Sequence, residues 1–238
     1  MKPPPIAVFD LDGTLADTAP DLIATLNVIM AQEGLPPVPI ETAREMIGAG
    51  ARALVQRGFE AAGRELTPAR SDELFRVFIT HYGQHLCEQS RLYPFVTEAL
   101  DSLEADGFRL AVCTNKIEEH SRRLLDELGI GARFSAICGR DTFPFFKPDP
   151  RHLLMTIEAA GGDPSRAVMV GDSLTDIATA KAAGVPVVAV PFGYTDVPVA
   201  ELGPDIVIAR YDELPDAVRR IAALWGKGGR VDGGRDRD

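Results

Sequence analysis

Two aspartates, Asp10 and Asp12, directly follow the apolar run Ile6–Phe9, which reads as a buried β-strand. Alternate residues of an extended segment point to the same side, so both carboxylates could face one site. Carboxylates that close repel each other, and a bound cation would relieve the repulsion. Such a pair can also divide the roles of nucleophile and proton donor. A plain strand end with an Asp-Gly turn has the same sequence, so the interpretation needs partners elsewhere in the chain.

Three later apolar runs, at 110–113, 136–138 and 168–170, are also followed by polar residues that suit phosphate or metal binding. Those residues are Thr114, Asn115, Lys147, Asp172 and Asp176. In an open α/β sheet, ligands bind just beyond the carboxyl ends of the strands. We therefore expect these side chains to meet the first two aspartates at one edge of the sheet.

This set of side chains predicts phosphoryl transfer. Clustered carboxylates need a hard cation, and Mg²⁺ takes oxygen ligands together with waters and a substrate phosphate oxygen. A lysine beside such a site is the expected complement of a phosphate group. The sequence thus indicates Mg²⁺ as cofactor and one carboxylate as nucleophile.

The elements that must position these residues divide the 238-residue chain into two patterns. Helices and strands alternate from residue 96 onward, which predicts a parallel sheet covered by helices on both faces. Residues 17–90 show helical spacing only, with helices at 19–33, 41–47, 51–62 and 67–88. The fold class is therefore α/β, with a Rossmann-like core at 1–16 and 91–225 and an inserted all-helical cap at 17–90. The tail, 226–238, is rich in glycine and charge and is expected to be disordered.

Composition narrows the partners and the compartment. The net charge of −10 argues against binding to nucleic acid or anionic membranes, whose phosphates select basic surfaces. The three scattered cysteines suggest free thiols in a reducing cytoplasm. The sequence has no apolar run long enough to span a bilayer, so we expect a cytoplasmic protein. We further expect it to be a monomer or a homodimer.

Four segments together resemble the ordered motifs of the haloacid dehalogenase superfamily. They are Asp10-Leu-Asp12-Gly-Thr14, Thr114-Asn115, Lys147-Pro-Asp149 and Gly171-Asp172-Ser-Leu-Thr-Asp176. The resemblance covers residues 6–225, including a helical cap after the first motif.

The resemblance implies catalytic, substrate-binding or metal-binding roles for several residues of these motifs. Asp10 would attack phosphorus and form an aspartyl-phosphate, while Asp12 would protonate the leaving alkoxide and then activate the hydrolytic water. Thr114 and Lys147 would hold the phosphoryl oxygens. The Mg²⁺ ligands would be the carboxylates of Asp10 and Asp172 with the backbone carbonyl of Asp12, and Asp176 would support or join them. Asn115 and Ser173 are lesser candidates for orienting the phosphate.

Two cap segments, at 15–22 and 47–54, further resemble bacterial phosphoglycolate phosphatases and imply 2-phosphoglycolate as the substrate. The turn Gly48-Ala49-Gly50 begins a helix whose free N–H groups could receive the substrate carboxylate, and Arg52 could add charge. Arg52 on a solvated helix face is the plainer interpretation, since most arginines are exposed.

Other functions remain open within the superfamily. A sugar phosphate such as MurNAc-6-phosphate, or a β-phosphoglucomutase-like phosphotransfer, would use the same core residues. A non-catalytic binding module on this fold usually lacks a nucleophile or a metal ligand, and this chain lacks neither. A phosphonoacetaldehyde hydrolase needs a cap lysine, and residues 17–90 contain none.

Overall fold

The computed structural model describes residues 3–40, 46–47, 50–195 and 197–225. Its main element is a six-stranded sheet with the order β5-β4-β1-β6-β7-β8, and all neighbouring strands are parallel. Its strands are β1 (Ile6–Phe9), β4 (Arg109–Cys113), β5 (Phe134–Cys138), β6 (Ala167–Gly171), β7 (Val187–Ala189) and β8 (Ile206–Val207). The first strand of the chain therefore lies in the middle of the sheet, between β4 and β6.

Helices cover both faces of this sheet. Ala7 and Phe9 of β1 belong to one apolar cluster, whereas Ile6 and Val8 belong to another. The first cluster includes residues of α4 (Val96–Ala105), α5 (Glu118–Glu127) and α8 (Leu214–Ala222), and the second includes residues of α6 (Pro150–Ala159) and α7 (Leu174–Ala183). A strand buried on both faces reads as a continuous apolar run, which is why β1 shows no alternation.

Three helices form a separate unit, which we call the helical unit: α1 (Ala19–Gln32), α2 (Ala51–Ala61) and α3 (Pro68–Gln84). They share their own apolar cluster, which includes Leu26, Phe59 and Phe78. The two chain connections to this unit pair as a short antiparallel ladder of β2 (Ala16–Asp17) and β3 (Arg91–Leu92). No sequence pattern indicates this ladder, because each strand has only two residues.

The end of α3 differs from the expected one. The helix stops at Gln84 instead of continuing to residue 88. The carboxylate of Asp21 on α1 accepts hydrogen bonds from the backbone N–H groups of Gln89 and Ser90, so a contact with a distant residue replaces helical hydrogen bonds there.

The predicted α/β fold class with a parallel-sheet core is confirmed. The division into core and cap domains stays a prediction, and the expected tail at 226–238 lies outside the described residues. Most of the predicted helix at 41–47 also lies outside them. Within the described part of the chain, no helix combines the length and the apolar character needed to cross a membrane.

Candidate active site

The ends of the central strands bring the predicted residues together. Asp10 follows β1, and its backbone N–H donates to the carbonyl of Val170 in β6 at 3.0 Å. On the other side, the backbone N–H of Thr114, directly after β4, donates to the carbonyl of Cys138 at 3.0 Å. Because β4, β1 and β6 are neighbours, their following residues share one edge of the sheet, as the sequence predicted.

Three carboxylates form an acidic triad at this edge. Asp10, Asp172 and Asp176 each place one oxygen within 4.8 Å of the other two. Burial raises the pKa of Asp10 to about 6, with Lys147 opposing this rise and Asp176 and Asp12 adding to it. Burial, together with the charges of Asp176 and Asp10, also raises the pKa of Asp172. Buried oxygen donors that repel one another fit a hard divalent cation such as Mg²⁺.

Two glycines allow the backbone to approach Asp172 closely. Gly13 has φ of 81°, and a Cβ there would lie 2.5 Å from the Asp172 Oδ2 atom. A Cβ on Gly193 would clash with the same oxygen. The backbone N–H of Tyr194 donates to that oxygen at 2.6 Å, and the hydroxyl of Thr14 donates to Oδ1 at 2.6 Å. The carboxylate of Asp172 is therefore held in one orientation.

Asp176 is held more completely than Asp172. Its Oδ2 accepts from the Ser173 hydroxyl at 2.7 Å and from the backbone N–H of Ser173 at 3.0 Å. The second of these bonds, together with the Asp176 N–H donating to Ser173 Oγ at 3.3 Å, forms a capping box at the start of α7. Its Oδ1 accepts from Lys147 at 2.5 Å. Asp176 is fully buried and, unlike Asp10 and Asp172, does not line the cavity at this edge, so its position favours a supporting role over direct metal ligation.

Lys147 links two members of the acidic triad. Its Nζ lies 3.0 Å from Asp10 Oδ1 and 2.5 Å from Asp176 Oδ1, and the residue is 2% exposed. Burial alone would lower the pKa of Lys147, but the charges of Asp10 and Asp176 outweigh it and raise the pKa above its usual value. The lysine is therefore a fixed cation beside the two carboxylates.

We expect Lys147→Met to destabilise the fold by about 3–5 kcal/mol, because it leaves buried carboxylates without their cation. Urea unfolding monitored by circular dichroism measures this difference. Lys181→Met is the matched control, since Lys181 is exposed on α7 and its loss should cost about 0.5 kcal/mol or less. Equal stability of both variants would show that Lys147 does not compensate the triad.

Asp12 lies outside the acidic triad and faces a different set of partners. Its Oδ1 accepts from the Thr18 hydroxyl at 2.7 Å and from Lys116 Nζ at 2.8 Å. The same ammonium donates to the hydroxyl of Tyr82 on α3 at 2.8 Å. Lys116 thus joins Asp12 to the helical unit and fixes the direction of its carboxylate.

Thr114 and Asn115 differ in what they can offer a ligand. Thr114 is buried and borders the cavity, and its Oγ1 accepts from the backbone N–H of Lys116 at 3.2 Å. Asn115 donates from Nδ2 to the carbonyl of Lys147 at 3.1 Å, so it braces the lysine loop. Its Oδ1 is buried and has no hydrogen-bond partner among the described residues.

A cavity of about 530 Å³ lies between the sheet edge and the helical unit. Asp10, Asp12 and Thr114 line it from the sheet, and Gly50 and Arg52 line it from the helical unit. Arg52 pairs with Asp72 and lies over the ring of Phe75, 4.6 Å from its centroid. Gly48, the other predicted glycine of this turn, lies outside the described residues.

Sequence reasoning missed several residues of the site. Lys116 directly follows Thr114-Asn115, and its place in the same strand-end loop was a usable signal. Tyr194 gave no such signal. Its hydroxyl accepts from the backbone N–H of Thr18 at 2.6 Å and of Ala19 at 2.7 Å, so it caps α1 from a loop far along the chain. The side chain of Thr18, the N-cap residue of α1, makes no capping hydrogen bond.

Comparison with known proteins places this geometry in a family. A family profile of haloacid dehalogenase-like hydrolases matches residues 7–190. The chain belongs to the haloacid dehalogenase-like hydrolase family. It is 52% identical over 210 residues to a phosphoglycolate phosphatase of Mesorhizobium japonicum, covering 88% of this chain and 92% of that one. A phosphoglycolate phosphatase of Agrobacterium fabrum is 50% identical over 214 residues, with 90% and 92% covered.

A crystal structure from Haemophilus somnus, described as a predicted phosphoglycolate phosphatase, is similar in fold to this haloacid dehalogenase-like hydrolase. It matches with a TM-score of 0.83 and 35% identity, covering 89% of this chain and 96% of that chain. The resemblance drawn from the four motifs is confirmed, as is the expectation of an enzyme that hydrolyses phosphoric monoesters.

Proposed function

We propose that this enzyme is a Mg²⁺-dependent phosphatase that hydrolyses 2-phosphoglycolate to glycolate and phosphate through an aspartyl-phosphate on Asp10. The observation that carries the proposal is the environment of Asp10. Its carboxylate borders the cavity, lies 3.0 Å from the buried Lys147 ammonium, and shares the acidic triad with Asp172. A carboxylate oriented by a fixed cation, beside donors for a metal, suits attack on phosphorus.

In the first half-reaction, a carboxylate oxygen of Asp10 forms a bond to phosphorus, and the bond from phosphorus to the ester oxygen breaks. The Asp10 Oδ1 atom accepts from the N–H of Leu11 at 2.7 Å and lies beside Lys147, so the carboxylate cannot turn freely. Asp12 gives a proton to the leaving alkoxide. Thr114 and Lys147 stabilise the negative charge on the phosphoryl oxygens.

In the second half-reaction, water attacks the same phosphorus atom and Asp12 takes its proton. The bond between phosphorus and Asp10 breaks, which regenerates the carboxylate and releases phosphate. Asp12 serves both steps because Thr18 and Lys116 hold its carboxylate at the cavity wall. Asn115 assists indirectly by bracing the loop of Lys147.

The carboxylates of Asp10 and Asp172, with the backbone carbonyl of Asp12, would hold Mg²⁺. When bound, the ion neutralises charge on the phosphoryl group and orients it. Asp176 supports this set by fixing Lys147 and the start of α7.

The helical unit serves as a cap that opens for the substrate and then limits the entry of water. The contact between His120 and α3 supports this role. A Cβ on Gly83 of α3 would lie 2.7 Å from His120 Nε2, so the helix packs directly on the core at this point. Lys116 and Tyr82 form a polar contact across the same boundary.

The choice of 2-phosphoglycolate draws on two observations. The relatives at about half identity are named as phosphoglycolate phosphatases. The cavity wall formed by the helical unit contains Arg52 and the first residue of α2, Ala51, and the guanidinium and the N–H groups at this helix start can receive a carboxylate.

A panel of phosphate esters tests this proposal. We expect kcat/KM for 2-phosphoglycolate to exceed that for sugar phosphates, including MurNAc-6-phosphate and glucose phosphates, by about tenfold or more, since one charged contact is worth about that factor. Chelation with EDTA should abolish turnover and added Mg²⁺ should restore it. A sugar phosphate as the best substrate would remove the proposed specificity, and full activity in EDTA would remove the proposed metal.

A further inference from the structure

Arg140 is a cation at the cavity wall to which the mechanism above gives no role. It follows β5, the strand next to β4, so it lies at the same edge of the sheet as Thr114. It lines the cavity, and its backbone N–H donates to the carbonyl of Lys116 at 2.9 Å. The loop that carries Arg140 is thereby tied to the strand-end loop that holds the active-site residues.

The side chain of Arg140 is positioned by an aromatic ring. Its guanidinium lies 3.5 Å from the centroid of the Phe146 ring, and Phe146 directly precedes Lys147. Among the residues that the structure describes, no carboxylate pairs with this guanidinium. The neighbouring Asp141 accepts instead from the backbone N–H of Glu118 at 2.7 Å, at the start of α5. Arg140 is therefore oriented but has no anionic partner within the described part of the chain.

Arg52 places a second guanidinium at the same cavity, from the helical unit. Both guanidinium groups line this cavity, and burial together with the charge of Arg52 lowers the pKa of Arg140. Two like charges at one cavity repel each other unless an anion lies between them. The phosphoryl group of a substrate would already be bound by Thr114 and Lys147, so Arg140 is available for a different anionic group, beside an Arg52 that already pairs with Asp72.

We propose that Arg140, together with Arg52, binds the carboxylate of the substrate and is a specificity-determining residue of this enzyme. A planar guanidinium matches a carboxylate with two parallel hydrogen bonds, which a lysine cannot reproduce. The substrate would then span the cavity, with phosphorus at Asp10 and the carboxylate between the sheet and the helical unit. This inference rests on the proposed function and adds a residue that selects the acid over neutral phosphate esters.

Two substrates that differ only at the distal group test the assignment. 2-Phosphoglycolate carries the carboxylate, and 2-hydroxyethyl phosphate replaces it with a neutral hydroxymethyl group on the same two-carbon chain. We expect Arg140→Met to raise KM for 2-phosphoglycolate by about 10- to 100-fold, the value of a charged hydrogen bond. The kcat for this substrate, and both constants for 2-hydroxyethyl phosphate, should change by about twofold or less. Arg140→Lys should give an intermediate KM for 2-phosphoglycolate.

Arg151→Met is the matched control. Arg151 lies over the ring of Phe145, 4.4 Å from its centroid, but it pairs with Asp149 and does not line the cavity. This control should keep wild-type constants for both substrates, and thermal melting should show that both methionine variants are folded.

Four results would count against the proposal. An equal loss of kcat/KM on both substrates in Arg140→Met, or no loss on either, would overturn the role of Arg140 while leaving the phosphatase activity established. A melting temperature of Arg140→Met far below that of Arg151→Met would assign the residue to stability instead. A wild-type enzyme that does not prefer 2-phosphoglycolate over 2-hydroxyethyl phosphate would overturn the proposed substrate itself.

Discussion

Replacement of Asp10 by asparagine should lower kcat for 2-phosphoglycolate by on the order of 10⁴-fold or more, the usual cost of removing a nucleophile. The amide has nearly the same size as the carboxylate, but its oxygen is a poor nucleophile. The variant should remain folded, because Lys147 keeps its contact with Asp176. The substitution also removes a charge at Asp10 that burial already disfavours, as the raised pKa of this carboxyl indicates. Initial rates at saturating substrate, together with a thermal melt, measure both effects.

Asp149→Asn is the matched control for this variant. Asp149 caps α6 by accepting from the N–H of Arg151 at 2.9 Å, and asparagine caps helices equally well. Asp149 lies two residues after Lys147 but does not line the cavity, so the activity of Asp149→Asn should match that of the wild type. Substantial turnover by Asp10→Asn would refute the assignment of the nucleophile.

Replacement of Asp12 by asparagine should lower kcat for 2-phosphoglycolate by about 10²- to 10⁴-fold, the range expected for loss of a general acid–base group. An amide can still accept the hydrogen bonds of Thr18 and Lys116, so the geometry of the loop is preserved. It cannot give a proton to an alkoxide or take one from water. Steady-state kinetics on the purified variant measure the loss.

The identity of the leaving group separates the two roles of Asp12. Glycolate leaves as an alkoxide and needs a proton, whereas p-nitrophenolate leaves without one. In Asp12→Asn, formation of the phosphoryl-enzyme should therefore be slow with 2-phosphoglycolate and nearly unimpaired with p-nitrophenyl phosphate. If both substrates suffered the same loss in this first step, proton donation by Asp12 would be excluded.

Much of the site could be predicted because its residues follow strands in the sequence. Asp10, Thr114 and Asp172 come directly after apolar runs, and the strand-end rule brings such residues together in any parallel sheet. This rule does not require knowledge of the strand order. Lys147 lies nine residues beyond the end of β5, so the prediction that it belongs to the site depended on the motif resemblance.

The remaining residues of the site could not be predicted, because they depend on the order of the strands and on the paths of loops. Tyr194 reaches Asp172 and α1 only because β7 lies beside β6. Arg140 lines the cavity because β5 lies beside β4, and its orientation depends on the Phe146 ring. No local pattern in either loop indicates these contacts. The early end of α3 likewise depends on Asp21, which is distant in sequence.

The most direct test of the account is a rapid-quench experiment on Asp12→Asn with p-nitrophenyl phosphate and Mg²⁺. The first step needs no proton donor with this substrate, while hydrolysis of the phosphoryl-enzyme lacks its base. We predict a burst of about one p-nitrophenolate per active site and a phosphoryl group on Asp10 in the acid-quenched protein, identified by peptide mass spectrometry. The absence of a burst, or a phosphoryl group on any residue other than Asp10, would contradict the account.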